Sequence, residues 1–221
     1  MNAFVVLAKA PRTGLAKTRL ASSGRITLEQ AAHLARAFLA DTLACVQRAA
    51  ADRRWIGFTP ADARDEFEAL APHCELFEQA AGDLGARIVH AFERAFAAGA
   101  ARVVVLGSDT PHVGEARLTT ALERLESADV VLGPARDGGY YLVGLARPRP
   151  ELFEGIEWST ERVRAQTLAQ AERAGLRVSL LDELDDIDGD AELSRLAETL
   201  ASAPHLAPAT ARALSELRRS R

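Results

Sequence analysis

Val103-Val104-Val105-Leu106-Gly107-Ser108-Asp109-Thr110-Pro111 reads as a buried strand that ends on a carboxylate. Four consecutive apolar residues, three of them β-branched, favour an extended, buried run. Gly107 and Pro111 then interrupt it. In open α/β sheets, ligands occupy the crevice beyond the carboxyl ends of the strands. A carboxylate standing there, Asp109, can hold a hard cation. Asp and Thr also cap helices well, so Asp109 and Thr110 equally fit a cap for the next segment.

On either side of this stretch, apolar runs alternate with helical patterns. Phe4-Val5-Val6-Leu7-Ala8, Trp55-Ile56-Gly57-Phe58, Cys74-Glu75-Leu76-Phe77, Asp129 to Pro134, Tyr140 to Leu145 and Leu176 to Leu181 read as strands. Thr27-Leu28-Glu29-Gln30 is a capping box that opens a helix running to about Ala50, with Leu34, Phe38, Thr42 and Val46 at helical spacing. His33 on that helix reads as a surface residue. Short helices are expected over Asp65–Leu70 and Glu115–Leu125, and a longer one from the N-cap Asp83 to Gly99. A further helix opens within Ile156–Val163, capped by Ser159 or Thr160. The chain from Glu192 is helical and ends in a frayed basic tail, Arg218-Arg219-Ser220-Arg221. The alternation predicts an α/β class: a mostly parallel sheet with helices on both faces. At 221 residues this fits one domain spanning residues 1–221.

Composition narrows the function. The net charge of −4 gives no general attraction to nucleic acid or an anionic membrane, so an anionic ligand must be held by local cations. No apolar run approaches the roughly 20 residues needed to span a bilayer. Cys45 and Cys74 show neither zinc nor disulfide spacing, and with no signal peptide visible a cytoplasmic setting is expected. Exposed apolar helix faces would support a homodimer.

Three chemical elements follow strand ends. Lys9-Ala10-Pro11-Arg12-Thr13-Gly14-Leu15-Ala16-Lys17-Thr18-Arg19 gathers four cations around a proline and a glycine, a plausible phosphate cradle that is neither a Walker A loop nor a dinucleotide fingerprint. Asp109 is the second. The third is the acidic cluster Asp185-Asp186-Ile187-Asp188-Gly189-Asp190, which lacks EF-hand spacing but would complete a divalent-cation site if it met Asp109. Gly82 and Gly85 permit close backbone approach to a ligand, and Asp137-Gly138-Gly139 marks a turn, in the simplest case a hairpin. Cations plus metal-binding carboxylates suit a pyrophosphate-containing substrate.

The segments Lys9–Leu20, Gly107–Pro111, Gly133–Leu145 and Trp158–Glu161, in this order, resemble the DUF2064 family of glycosyltransferase-like proteins in the GT-A superfamily. That superfamily also includes molybdenum-cofactor nucleotidyltransferases and 2-phospholactate guanylyltransferase. The resemblance implies a three-layer αβα, Rossmann-like nucleotide-diphospho-sugar transferase fold with a mixed sheet of about seven strands. It places Ala8, Lys9, Arg12, Gly14, Lys17 and Arg19 at the nucleotide, and Gln79, Gly82 and Asp83 near its base or ribose. Asp109 and Asp188 become ligands of Mg2+ or Mn2+, and Asp137, Gly138, Gly139 and Tyr140 line the acceptor side. The implied activity is a metal-dependent transferase using a nucleotide-sugar or nucleoside triphosphate and a small-molecule acceptor. Lys17, Arg19 and Asp109 would serve catalysis, Lys17 and Arg19, in nucleotidyl transfer, by stabilising departing pyrophosphate. The alternatives are a guanylyltransferase-like nucleotidyltransferase releasing pyrophosphate, and a non-catalytic nucleotide-binding protein.

Overall fold

The computed structural model describes residues 1–219. Seven strands, β1 (Asn2–Lys9), β2 (Arg53–Thr59), β3 (Glu75–Glu78), β4 (Arg102–Gly107), β5 (Val130–Pro134), β6 (Tyr140–Leu145) and β7 (Val178–Leu180), form one sheet in the order β3-β2-β1-β4-β6-β5-β7. Only β6 runs antiparallel to its neighbours. It is the return strand of the hairpin at Asp137-Gly138-Gly139, so the turn read from the sequence is what makes a parallel sheet mixed.

Among the described residues, seven α-helices accompany the sheet: α1 (Leu28–Arg48), α2 (Arg64–Leu70), α3 (Leu84–Ala97), α4 (Glu115–Arg124), α5 (Val163–Arg173), α6 (Asp190–Ser202) and α7 (Pro208–Arg219). Strand periodicity separates two layers. Phe4, Val6, Val104 and Leu106 point to one face and pack with Leu39 and Val46 of α1, Phe67 of α2 and Leu118 of α4. Ala3, Val5, Val103 and Val105 point to the other, against Ile88 and Phe92 of α3 and Ala171 of α5. The central strands β1, β4, β5 and β6 are buried on both faces, which is why they read as continuous apolar runs rather than alternating ones. The result is a three-layer αβα arrangement. A third cluster lies outside it, where Leu34 and Phe38 on the far side of α1 meet Leu196 and Leu200 of α6 and Leu214 and Leu217 of α7.

Local signals held where they were self-contained. The capping box closes as read: Gln30 N–H donates to the Thr27 hydroxyl at 3.2 Å, and the Gln30 side chain accepts from Thr27 N–H at 2.9 Å. Asp83 caps α3, accepting from Ala86 N–H at 2.9 Å. His33 is exposed and faces Glu216 at 3.1 Å. One expectation is corrected. α5 begins only at Val163, and neither Ser159 nor Thr160 caps it. Ser159 takes a left-handed conformation (φ 65°), while the Thr160 hydroxyl donates to Glu157 O at 2.7 Å, so these residues close a turn before the helix. Of the expected basic tail, Arg218 and Arg219 belong to α7, and Ser220 and Arg221 lie outside the described residues. Among the described residues, no helix is long and apolar enough to cross a membrane.

Candidate active site

The carboxyl ends of β1, β2 and β4 border a cavity of about 260 Å³, lined by Ala8, Lys9, Thr59, Gln79, Arg87, Ser108, Asp109, Tyr140 and Asp186 among others. Asp109 stands just beyond β4 and caps nothing: α4 starts after Gly114, without a side-chain cap. Its main-chain carbonyl instead accepts from Ile187 N–H at 3.0 Å. That bond draws the acidic segment across to β4, helped by a parallel bridge between Ala135 and Leu184. The segment turns tightly there, Asp188 N–H donating to Asp186 O at 3.2 Å, and this brings both Asp186 and Asp188 to the group around Asp109. Asp109, Asp186 and Asp188 each bring one carboxylate oxygen within 4.8 Å of the others. The family resemblance points to Asp188 alone within the acidic cluster; the structure adds Asp186, two residues away.

Lys17 reaches into this group. Its ammonium lies 2.8 Å from Asp109 Oδ1, 2.8 Å from Asp188 Oδ1 and 2.7 Å from Ile187 O, and its side chain is 6% exposed. Burial alone would depress this ammonium, but the charges of Asp109, Asp186 and Asp188 outweigh it and raise its pKa. Asp188 feels the converse: burial works against its ionised form, yet Lys17 keeps its pKa below the ordinary value. Asp186 has no such partner at contact distance. Burial, and then the negative charge of Asp109, push its carboxyl up to about 7. Arg19, exposed, approaches Asp188 at 3.4 Å.

The other expected residues distribute as follows. Lys9 and Ala8 line the cavity, and Gly14 takes φ 76° with open space where a side chain would stand. Arg12 turns away from the cavity: Asp62 holds it at 3.0 Å and Glu66 at 3.1 Å. Gln79 is at the cavity wall; Gly82 (φ 111°) and Asp83 form the loop that starts α3. Asp137 accepts from Gly139 N–H at 2.9 Å and fixes the hairpin turn. Tyr140 lines the cavity, its ring edge-on to Trp158. Three motifs interlock here. A Cβ on Gly85 would lie 2.6 Å from Trp158 Nε1, and a Cβ on Gly138 only 2.1 Å from Glu161 O. The Trp158–Glu161 turn is thus seated between α3 and the hairpin. Arg87, on α3, went unread in the sequence because an arginine in a helix ordinarily faces solvent.

The family described as "uncharacterized protein conserved in bacteria" (DUF2064) matches residues 42–160. Nothing matches among the curated proteins. Among solved structures, a "putative nucleotide-diphospho-sugar transferase" from Desulfovibrio desulfuricans G20 is 34% identical over 99% of this chain and 97% of its own, with a TM-score of 0.90. A nucleotidyl transferase from Methanothermobacter thermautotrophicus is 14% identical over 91% of this chain and 98% of its own (TM-score 0.63). Rv0371C of Mycobacterium tuberculosis H37Rv, solved in complex with manganese, is 17% identical over 90% and 98% (TM-score 0.54). The last two likenesses establish the α/β nucleotidyltransferase-like fold alone. The family match covers more than half of the sequence and includes the Asp109 strand and the Gly-Gly hairpin, and the Desulfovibrio likeness runs the length of the chain, so the protein belongs to the DUF2064 family.

Proposed function

We propose that this chain is a transferase that uses a nucleotide-sugar or nucleoside triphosphate donor with Mg2+ or Mn2+. The observation that carries this reading is the order of groups along the sheet edge. From β3 to β6 it runs Gln79 and Arg87, then Lys9, then Asp109 with Asp186 and Asp188, then the Asp137–Tyr140 hairpin. That order fits base, phosphates, cation and acceptor in turn. Three converging carboxylate oxygens are a hard donor set of the kind Mg2+ and Mn2+ take. Asp109, Asp186 and Asp188 would hold the ion, which when bound offsets charge growing on the departing phosphate. Lys9 and Arg19 supply fixed positive charge for phosphate oxygens. Lys17 joins them once a cation relieves it of its two carboxylates. The hairpin and Tyr140, braced by the Trp158–Glu161 turn, border the acceptor side. The names of the Desulfovibrio and Methanothermobacter structures, and the manganese of the Mycobacterium one, support the same class.

The ammonium already seated between Asp109 and Asp188 favours a second reading, a nucleotide-binding protein that needs no metal. Thermal unfolding with nucleoside triphosphates and nucleotide-sugars, each with and without Mn2+, separates the two. A ligand at 100 times its dissociation constant adds about 2.7 kcal/mol of stability. A shift that requires Mn2+ and disappears in Asp109→Ala supports the transferase. A shift indifferent to both overturns the metal assignment. Release of pyrophosphate on turnover identifies nucleotidyl transfer, and release of a nucleoside diphosphate identifies glycosyl transfer.

A further inference from the structure

We infer that Gln79 and Arg87 read the edge of the nucleobase and select a base in which a ring N–H adjoins a carbonyl, that is guanine, uracil or thymine. The inference rests on the nucleotide reading above and deepens it.

Gln79 follows β3 directly, and its side chain is locked by main chain. Nε2 donates to Gly57 O at 2.7 Å and to Ala8 O at 3.2 Å. An amide nitrogen has two hydrogens, and both are spent on these carbonyls of β2 and β1. The side chain therefore cannot flip, and it presents Oε1 as an acceptor and nothing else. The sole hydrogen bond to that oxygen among the described residues comes from Arg87 Nη1, at 3.5 Å and thus at the limit of a bond.

Arg87 is equally unfinished. It lines the same cavity, its Nε is buried without a hydrogen-bond partner, and no carboxylate pairs with it among the described residues. A guanidinium carries five N–H donors in a fixed fork. Most arginines here spend that fork on acids, as Arg12 does with Asp62 and Glu66. The Nε atoms of Arg117 and Arg149 are also buried without a partner, but of the three only Arg87 lines this cavity, where a ligand can complete its bonds.

One locked acceptor beside several free donors fits a ligand edge with an N–H next to an acceptor. Two features favour a carbonyl as that acceptor. A carbonyl oxygen has two lone pairs and can take two N–H donors of the fork, whereas a bare ring nitrogen takes one. Glutamine recognises adenine by using its oxygen and its nitrogen together, and here the nitrogen is consumed. Leu84, 46% exposed at the cavity, and Ile88 supply an apolar wall for a flat ring.

The test is calorimetric titration of the full chain with GDP, UDP, ADP and CDP in the presence of Mn2+, repeated on Arg87→Met and Arg87→Lys. In the wild type, GDP or UDP should bind about tenfold tighter than both ADP and CDP, the low end for one well-made polar base contact. Arg87→Met should erase that preference. Arg87→Lys should restore little of it, because a point charge cannot fork onto one oxygen. Equal binding of the four nucleotides, or a preference that survives Arg87→Met, overturns the inference and leaves the nucleotide reading standing. Failure of the folded wild type to bind any of them overturns both. If Arg87→Met does not fold, the wild-type ranking alone decides.

Discussion

Lys17 and Asp109 form an ion pair of 2.8 Å in which the lysine side chain is buried and the aspartate is nearly half exposed. The pair joins the basic loop after β1 to the carboxylate after β4, and Asp188 extends it to the acidic segment. An ammonium and a divalent cation cannot both sit on those oxygens. Lys17→Met should therefore tighten Mn2+ binding, by about tenfold if roughly 1.4 kcal/mol of competition is removed. The same change should destabilise the metal-free protein by about 1–3 kcal/mol. Breaking a fully buried pair costs roughly 3–5 kcal/mol, but Asp109 and Asp188 keep partial access to water. Mn2+ should then recover more thermal stability in the variant than in the wild type. Equal Mn2+ affinity in the two proteins, measured by calorimetry, would show that Lys17 does not stand in for the ion.

Asp186 gives a pH dependence of defined sign. Its folded pKa is raised to about 7, against about 3.9 for an unfolded chain. Between those values the folded protein holds a proton that the unfolded chain has released. The stability this confers is fully present below about pH 3.9 and is lost as pH rises through 7. His112 is shifted the opposite way by burial and Arg117, so the whole-protein curve mixes two signs. The difference between Asp186→Asn and the wild type isolates one, since asparagine does not ionise. In EDTA, that difference should move in favour of the variant from pH 5 to pH 8. A difference that stays flat across this range would mean Asp186 is ionised throughout.

The interlocked glycines predict where the hairpin fails. Gly138 has φ 90° and would place a Cβ 2.1 Å from Glu161 O, a backbone atom that cannot swing aside. Gly138→Ala should cost about 1–3 kcal/mol by overpacking and displace the Trp158–Glu161 turn. Trp158 is the partly exposed member of the two tryptophans, Trp55 being 4% exposed, so intrinsic fluorescence reports the displacement. An unchanged emission spectrum with unchanged stability would show that the turn is not seated on the hairpin.

The sequence revealed most where a feature is written in neighbouring residues. The Thr27–Gln30 capping box, the Asp83 cap, the Gly-Gly hairpin and the strand leading to Asp109 each involve residues within a few positions of one another, and each formed as expected. What escaped depends on distant partners. Asp186 and Asp188 look alike in sequence; the bond from Ile187 N–H to Asp109 O, 78 positions away, aims both at the cation group. Arg12 belongs by position to the basic loop, yet Asp62 and Glu66, some 50 positions on, hold it elsewhere. The start of α5 is not legible locally, because Ser159 and Thr160 close a turn as readily as they cap a helix.

Asp41 offers a prediction remote from the cleft. It lies on α1, 5% exposed, and its two carboxylate oxygens accept from Ala209 N–H at 3.0 Å and Thr210 N–H at 2.8 Å in the first turn of α7. A helix leaves its first amide hydrogens without internal partners, and a negative group there also meets the positive end of the helix dipole. Here the cap comes from another helix, so one side chain both finishes α7 and fixes it to α1 beside Leu214 and Phe38. Asp41→Ala should lower stability in chemical denaturation by about 2 kcal/mol, the upper end for a lost cap, because one buried and one partly buried amide are left unpaired. Asp41→Asn keeps an acceptor for one of the two amides and should recover part of the loss. Neither change should alter Mn2+ affinity, because α7 packs on the far side of α1 from the sheet and its cleft. A drop in Mn2+ affinity with Asp41→Ala would instead show that the outer helices hold the acidic segment, through Ile187, in its place beside Asp109.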